Sequence, residues 1–301
     1  WADHGAAPPR HRVGVARPPE YGIRVMEMRV AIAGRDYRVR LDAARSLAIP
    51  LDFAGPQPSF FGAPRASAAP LRLPDFVGST DEGGSCNVAE LRLIPHCNGT
   101  HIETVGHIVN DPVPLAHVVG ASLCPARLVT IAPNVARDSA EGYGPALDTG
   151  DRLVTRSALE TALRAVPGEE SQALIVRTLP NDASKARRVY DDTDPPPFFS
   201  TEAIGYLIDV GVEHLLVDLP SIDRMRDQGT LSNHRLFWNV PPSGRTLCGK
   251  TGSRKTVTEM VFVPDGIPDG LYLLDIAVPA FLSDAAPCRP VIYPLVQLPP
   301  G

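Results

Sequence analysis

The chain has no excess of positive charge: among 301 residues, 34 acidic side chains outnumber 29 basic ones, giving a formal charge of −5 and a pI near 5.9. A nucleic-acid partner needs a basic stripe to neutralise phosphates, so none is expected. No run reaches the roughly 18 apolar residues that cross a bilayer, so no membrane partner is expected either. Neither a G-x-S-x-G elbow nor a P-loop occurs, which removes the local signatures of serine hydrolases and nucleoside triphosphatases. The five cysteines (Cys86, Cys97, Cys124, Cys248 and Cys288) include no C-x-x-C pair. An odd number in a chain this long does not suggest a disulfide framework, so reduced thiols and a cytoplasmic location are expected. No internal repeat is visible.

Proline is plentiful instead, with 32 residues against a usual share of roughly 5%. Adding 25 glycines still leaves the chain below the roughly 25–30% of low-complexity sequences. With 44% hydrophobic and 21% charged residues, the composition is that of a folded, loop-rich protein able to bury a core. Residues 1–20 lack an apolar period and read as a flexible tail or arm, and 21–301 as one domain. Met26, Met28, Val30 and Ile32 alternate with polar or small residues; Ala33-Gly34-Arg35-Asp36 turns, and Tyr37, Val39 and Leu41 alternate again. This predicts a β-hairpin with one buried face. Residues 50–85 are rich in proline and glycine but hold Phe53, Phe60, Phe61 and Phe76, which predicts a long, ordered, functional loop.

From residue 120, strands and helices alternate. Short apolar runs at 127–131, 173–177 and 214–218 read as strands. Thr155 and Ser200 read as N-caps of helices that stop before Pro167 and at Gly211. Two further strands, VTEMVFV and GLYLLDIAV, are joined by a turn at 264–270. The order indicates an α/β fold.

The chemistry concentrates in Pro95-His-Cys-Asn-Gly-Thr-His-Ile-Glu-Thr-Val-Gly-His107, where three of the eight histidines, a cysteine and a carboxylate fall within twelve residues. On a strand, alternation turns His101 and Glu103 to one face, and Cys97 and His107 share their parity. Thiolate, imidazole and carboxylate are ligands of first-row metals, and the mixture suits zinc best. The alternative is a polar loop around a buried cysteine.

This segment resembles the metal-dependent hydrolases of the cyclase family, which include bacterial kynurenine formamidase and isatin hydrolase and carry the signature H-x-G-T-H-x-D-x-P-x-H. Gly99, Thr100, His101 and His107 match at their spacings. Glu103 replaces the aspartate, Gly106 falls beside the proline position at Val105, and Cys97 stands where the first histidine is expected. His96 is one residue out of register. Further along, ALIVRT at 173–178, the capped helix, strand and turn of Ser200–Asp223, Asn233-His234-Arg235-Leu236 and Thr258-Glu259-Met260 resemble later family segments, with a longer than usual stretch between His234 and Glu259.

The resemblance spans roughly residues 45–295 and implies a swivelling β/β/α cyclase-like fold, with mixed sheets, flanking helices and the hairpin as an N-terminal extension. It implies Cys97 (alternatively His96), His101 and Glu103 as metal ligands, with His234 and Glu259 completing a second position. His107 would be the acid–base residue. The cofactor would be one or two divalent ions, Zn2+ first and Mn2+ second, with the Cys97 thiolate biasing toward zinc. A minor reading makes Cys97 a nucleophile with His107 as its base. The implied activity is hydrolysis of a C–N bond in a small amide, formamide or lactam by a metal-activated water. The alternatives are a metal-dependent dehydratase or cyclising enzyme, or a non-catalytic metal- or ligand-binding protein on the same scaffold. The implied partners are a small-molecule substrate and further copies of the chain, as a dimer or higher oligomer. Phe60 and Phe61 are candidates to wall the substrate pocket. Lys185, Arg187 and Arg188 read as a solvated face. Asp218 and Asp223 either position the histidines or cap a turn.

Overall fold

The computed structural model describes residues 27–120, 123–166, 171–247, 249 and 254–299; the tail at 1–20 and Cys248 lie outside them. Strands β1 (Met28–Ile32) and β2 (Arg35–Val39) form the expected antiparallel hairpin, with Ile32 opposite Arg35. Ala33 and Gly34 between them both have positive φ, 51° and 72°. That pair of dihedrals matches the right-handed twist of the strands it joins.

Beyond the hairpin come β3 (His101–Glu103), β4 (Leu123–Ile131), α1 (Arg156–Ala165), β5 (Ala173–Thr178), α2 (Thr201–Asp209), β6 (His214–Val217), α3 (Ser232–Phe237), β7 (Thr256–Glu259), β8 (Gly270–Asp275), β9 (Ala285–Pro287) and β10 (Val291–Gln297). They build one mixed sheet in the order β1-β2-β10-β8-β4-β5-β6-β7-β3-β9, with Arg45–Ser46 also paired to β10. The central four, β4 to β7, are parallel, and the flanking strands are antiparallel.

Both faces of the parallel strands are covered, which explains their continuous apolar runs. Leu174, Val176, Leu215 and Val217 face the cluster that includes Leu159 and Leu163 of α1 and Ile204 and Leu207 of α2. Ile175 and Leu216, of opposite parity, join Leu128, Val261, Tyr272 and Ile292. The helices begin where the sequence places their caps. Thr155 Oγ1 accepts the Ala158 N–H at 3.3 Å, and Ser200 Oγ accepts the Ala203 N–H at 3.0 Å.

Two expectations need correction. The 50–85 segment is not all loop: Ser67–Pro70 pairs with Ala89–Arg92, and Arg72–Leu73 with Phe76–Val77. These ladders are too short and too rich in proline to show a period. The strands expected on either side of the 264–270 turn are present, β7 between β6 and β3 and β8 between β4 and β10 of the same sheet. Lys185 is not solvated. It is buried, with Nζ 2.6 Å from Asp218 Oδ2 and a further hydrogen bond to Thr178 O. Asp218 is therefore the counter-ion of a buried lysine and not a partner of the histidines.

Candidate metal centre

The short strand β3 is the floor of the site. It runs antiparallel to β7 on one side, with His101 opposite Glu259, and to β9 on the other, with Ala285 opposite Glu103. Alternation along β3 puts His101 and Glu103 on one face, and the end of β7 brings Glu259 beside them. Ligand atoms of His101, Glu103 and Glu259 lie within 4.8 Å of one another, and all three residues are buried. From α3, His234 joins them: its Nε2 is 2.8 Å from Glu103 Oε1 and 3.5 Å from Glu259 Oε1.

The rings are locked in one tautomer by what their other nitrogens touch. His101 Nδ1–H donates to Gly99 O at 2.9 Å, and His234 Nδ1–H donates to Asp223 Oδ2 at 2.6 Å. A carbonyl or an ionised carboxylate can only accept, so Nδ1 carries the proton of the neutral ring and each Nε2 faces the shared centre, free to offer its lone pair once deprotonated. Asp223 is itself held by Tyr143 OH at 2.7 Å and Asn233 N–H at 2.7 Å. Glu259 is oriented by the Ile222 N–H at 2.9 Å.

A second group adjoins the first. Ligand atoms of His96, His107 and Asp284 also lie within 4.8 Å of one another, in partly exposed positions. His96 Nε2 is 3.2 Å from Asp284 Oδ2 and 3.4 Å from Glu103 Oε2, and its ring stacks on His107 at 4.3 Å. His107 sits in a tight turn, Val105–His107, capped by Thr104, whose Oγ1 accepts the Gly106 N–H at 3.2 Å. Gly106 leaves room for this approach: a Cβ there would lie 3.1 Å from Asp284 Cβ.

The register argument for Cys97 does not survive the backbone. Residues 95–97 form a turn and β3 begins only at His101, so strand parity cannot be carried back to position 97. His96 enters the centre, and Cys97 belongs to neither donor group among the described residues. Burial and the Glu259 charge both push the Cys97 thiol above its ordinary pKa, away from the thiolate a metal or nucleophilic role needs. Phe60 is also not a pocket wall. It is 2% exposed and packs with Ile49, Tyr190, Met225 and Met260, so it anchors the loop. Phe61 is 60% exposed beside it. Asp284 went unnoticed in the sequence, because it reaches the site only through the pairing of β9 with β3.

The donor set fits a divalent cation. Four buried atoms that converge here, His96 Nε2, His101 Nε2, His234 Nε2 and Glu103 Oε1, make no well-oriented hydrogen bond and meet only in close charged contacts such as His234 Nε2 to Glu103 Oε1, which is rare for buried polar atoms. The charges around them point the same way. Burial would raise the Glu103 pKa, but His107, His234 and His101 hold it below the usual carboxylate range. Burial would lower His234, yet Asp223 and Glu103 hold it well above the usual imidazole value. Excess carboxylate charge thus draws in positive charge, as protons on the rings or as a metal ion.

The comparisons with known proteins follow this geometry. Residues 45–224 match the family model Cyclase, described as "Putative cyclase", which is more than half of the chain. The chain belongs to the cyclase family. The kynurenine formamidase of Bacillus thuringiensis (strain Al Hakam) is 28% identical to this cyclase-family chain over 220 residues, 72% of the chain and 85% of the relative. That of Bacillus anthracis is 26% identical over 224 residues, 73% and 87% of the two. Among solved structures, isatin hydrolase A from Labrenzia aggregata, bound to benzyl benzoate, superposes with a TM-score of 0.54 at 14% identity, covering 83% of this chain and 93% of that one. Isatin hydrolase A from Ralstonia solanacearum gives 0.53 at 14%, covering 84% and 92%. These structures support the cyclase fold.

Two outcomes follow from the geometry. Asp223→Asn would turn an amide toward donors that now meet a carboxylate. Metal affinity is expected to fall by about 10- to 100-fold, read by titrating metal-free protein with a competing chelator. Unchanged affinity would contradict the role given to Asp223. His96→Ala should lower metal content or turnover, whereas Cys97→Ser should leave both within about twofold of the parent. Metal analysis and kinetics on the two variants separate them, and the reverse pattern would restore Cys97 as the ligand.

Proposed function

We propose that this protein hydrolyses the C–N bond of a small amide, formamide or lactam with the help of a divalent cation. The observation that carries the proposal is the convergence of four buried nitrogen and oxygen donors, crowded together without well-oriented hydrogen bonds, beside a partly exposed histidine. His101, Glu103, Glu259 and His234 would hold the cation, with His96 and Asp284 at its open side. Nitrogen and carboxylate donors suit Zn2+ or Mn2+, and with Cys97 outside the set its thiolate no longer favours zinc. When bound, such an ion brings the pKa of a coordinated water down from 15.7 to about 7 and polarises a carbonyl oxygen.

The chain's own residues then do the following. Glu103, facing both donor groups, fixes the negative charge that keeps the cation in place. Asp223 and Gly99 O keep the His234 and His101 lone pairs aimed inward. His107, with its side chain 28% exposed, is open enough for a substrate to touch. Burial, the largest influence on it, pushes its pKa below the usual imidazole value, so it is neutral and basic at pH 7. It can take a proton from the attacking water and return it to the leaving nitrogen. Asp284 Oδ2, 3.9 Å from His107 Nδ1, lies beyond hydrogen-bond reach and favours the charged ring while the proton is held.

The test is product analysis with formanilides, lactams and cyclic imides. The proposal expects an aniline and formic acid from a formanilide, and from a lactam or cyclic imide a single ring-opened acid heavier than the substrate by one water. A product lighter by one water would indicate a dehydratase or cyclising enzyme. Tight metal binding with no turnover would indicate a binding protein.

A further inference from the structure

His107 borders more than the metal centre. It also lines a pocket of 250 Å³ whose apolar walls include Ile108, Val109 and Leu231 and whose lining also holds Arg235 and Arg245. Among the described residues no carboxylate lines this pocket. The acids nearest in sequence are engaged elsewhere: Asp111 Oδ2 accepts the Leu247 N–H at 3.0 Å, and Asp227 Oδ1 accepts the Gly229 N–H at 2.8 Å.

The two arginines differ in what they have left to offer. Arg235 follows His234 on α3 and is tied to backbone oxygens. Its Nε donates to Thr230 O at 3.0 Å, and its Nη1 donates to Pro241 O at 3.1 Å and Gly244 O at 2.8 Å. These bonds pin the loop that carries Arg245. That loop is fastened again where the Asn110 N–H donates to Arg245 O at 2.8 Å. The Arg245 guanidinium itself has no hydrogen-bond or ion-pair partner among the described residues. A backbone held at two points thus presents an uncommitted planar fork to a cavity shared with the reacting histidine.

We propose that this pocket receives a carboxylate of the substrate. Arg245 would bind it through two parallel N–H groups, and Arg235 would add a fixed second charge. This rests on the reading of the chain as an amide hydrolase and names its substrate class. The substrate is an acid with an apolar body that packs on Ile108, Val109 and Leu231, and its amide or lactam carbonyl reaches His107 and the buried donors. A single free guanidinium matches a carboxylate monoanion. A phosphate dianion would call on donors that Arg235 has already given to carbonyls. Arg245 lies in the long stretch between His234 and Glu259, so the preference belongs to that segment of the chain.

The experiment uses the metal-loaded protein, formanilides bearing a side-chain carboxylate, and their neutral carboxamide counterparts. The parent is expected to favour the acid in kcat/KM by about tenfold or more, through KM. Arg245→Gln should bring the ratio near unity, and Arg245→Lys should keep part of it. Carboxylate held only by the metal would keep its advantage in Arg245→Gln, and that result overturns the proposal, as does a ratio near unity in the parent. A calorimetric titration with the matching N-methylanilines, which have no scissile bond, separates the two readings. Tighter binding of the acid that is lost in Arg245→Gln, without turnover of any formanilide, keeps the pocket and sinks the hydrolase. Turnover with no preference does the reverse.

Discussion

Glu103→Gln is expected to cost the protein its metal and, with it, about a thousandfold or more in kcat/KM. Glu103 is 1% exposed and lies in a strand paired on both sides, opposite Val257 and Ala285. Its carboxylate cannot swing away or be replaced by a neighbour. One oxygen is 2.8 Å from His234 Nε2, and the other is 3.4 Å from His96 Nε2. Glutamine keeps the size of the side chain but removes a negative charge from the one residue that faces both donor groups. It also offers an N–H2 donor where nitrogen lone pairs and a cation should meet. Elemental analysis of the purified variant, alongside its kinetics, checks this outcome. Full metal content with parental turnover would remove Glu103 from the centre.

His107→Ala is expected to behave differently, with kcat down by about 10²- to 10⁴-fold while metal content stays at the parental level. The ring is stacked on His96 and partly open, and its nitrogen is 4.0 Å from Glu103, so it stands beside the buried donors without being one of them. The pH profile carries a second signature. Burial pushes the His107 pKa down, and the proposed role uses its neutral, basic form. Activity should therefore rise with pH through an ionisation below the usual imidazole value of about 6.5 and level off above it. In the alanine variant that acidic limb should vanish. Loss of metal together with activity would instead make His107 a ligand.

Much of this arrangement could be read from the sequence because it is local. His101 and Glu103 are two apart on one strand, and strand alternation alone puts them on one face. The caps at Thr155 and Ser200 and the buried strands at 173 and 214 are equally short-range signals. His234 and Glu259 came from resemblance to a family, since nothing near them in the chain points to β3. The rest depends on tertiary contact. Parity failed for Cys97 because the chain turns at residues 95–97, and that turn swings His96 inward. Asp284 arrives through a ladder between segments far apart in sequence. Lys185 looked solvated because its partner, Asp218, lies 33 residues further along the chain, just past the end of β6. Phe60 looked available to a substrate because nothing local reveals the Ile49, Tyr190 and Met260 cluster that covers it.

The most direct measurement is turnover of a formanilide and a lactam by a single preparation in three states: as purified, stripped by chelator, and reconstituted with Zn2+ or Mn2+, with metal counted in each. The account predicts aniline and formic acid from the formanilide, and the ring-opened amino acid from the lactam, in the first and third states and neither in the second, with turnover proportional to metal bound. Undiminished hydrolysis by the stripped protein, or reconstituted protein that releases no amine from any C–N substrate, would contradict it.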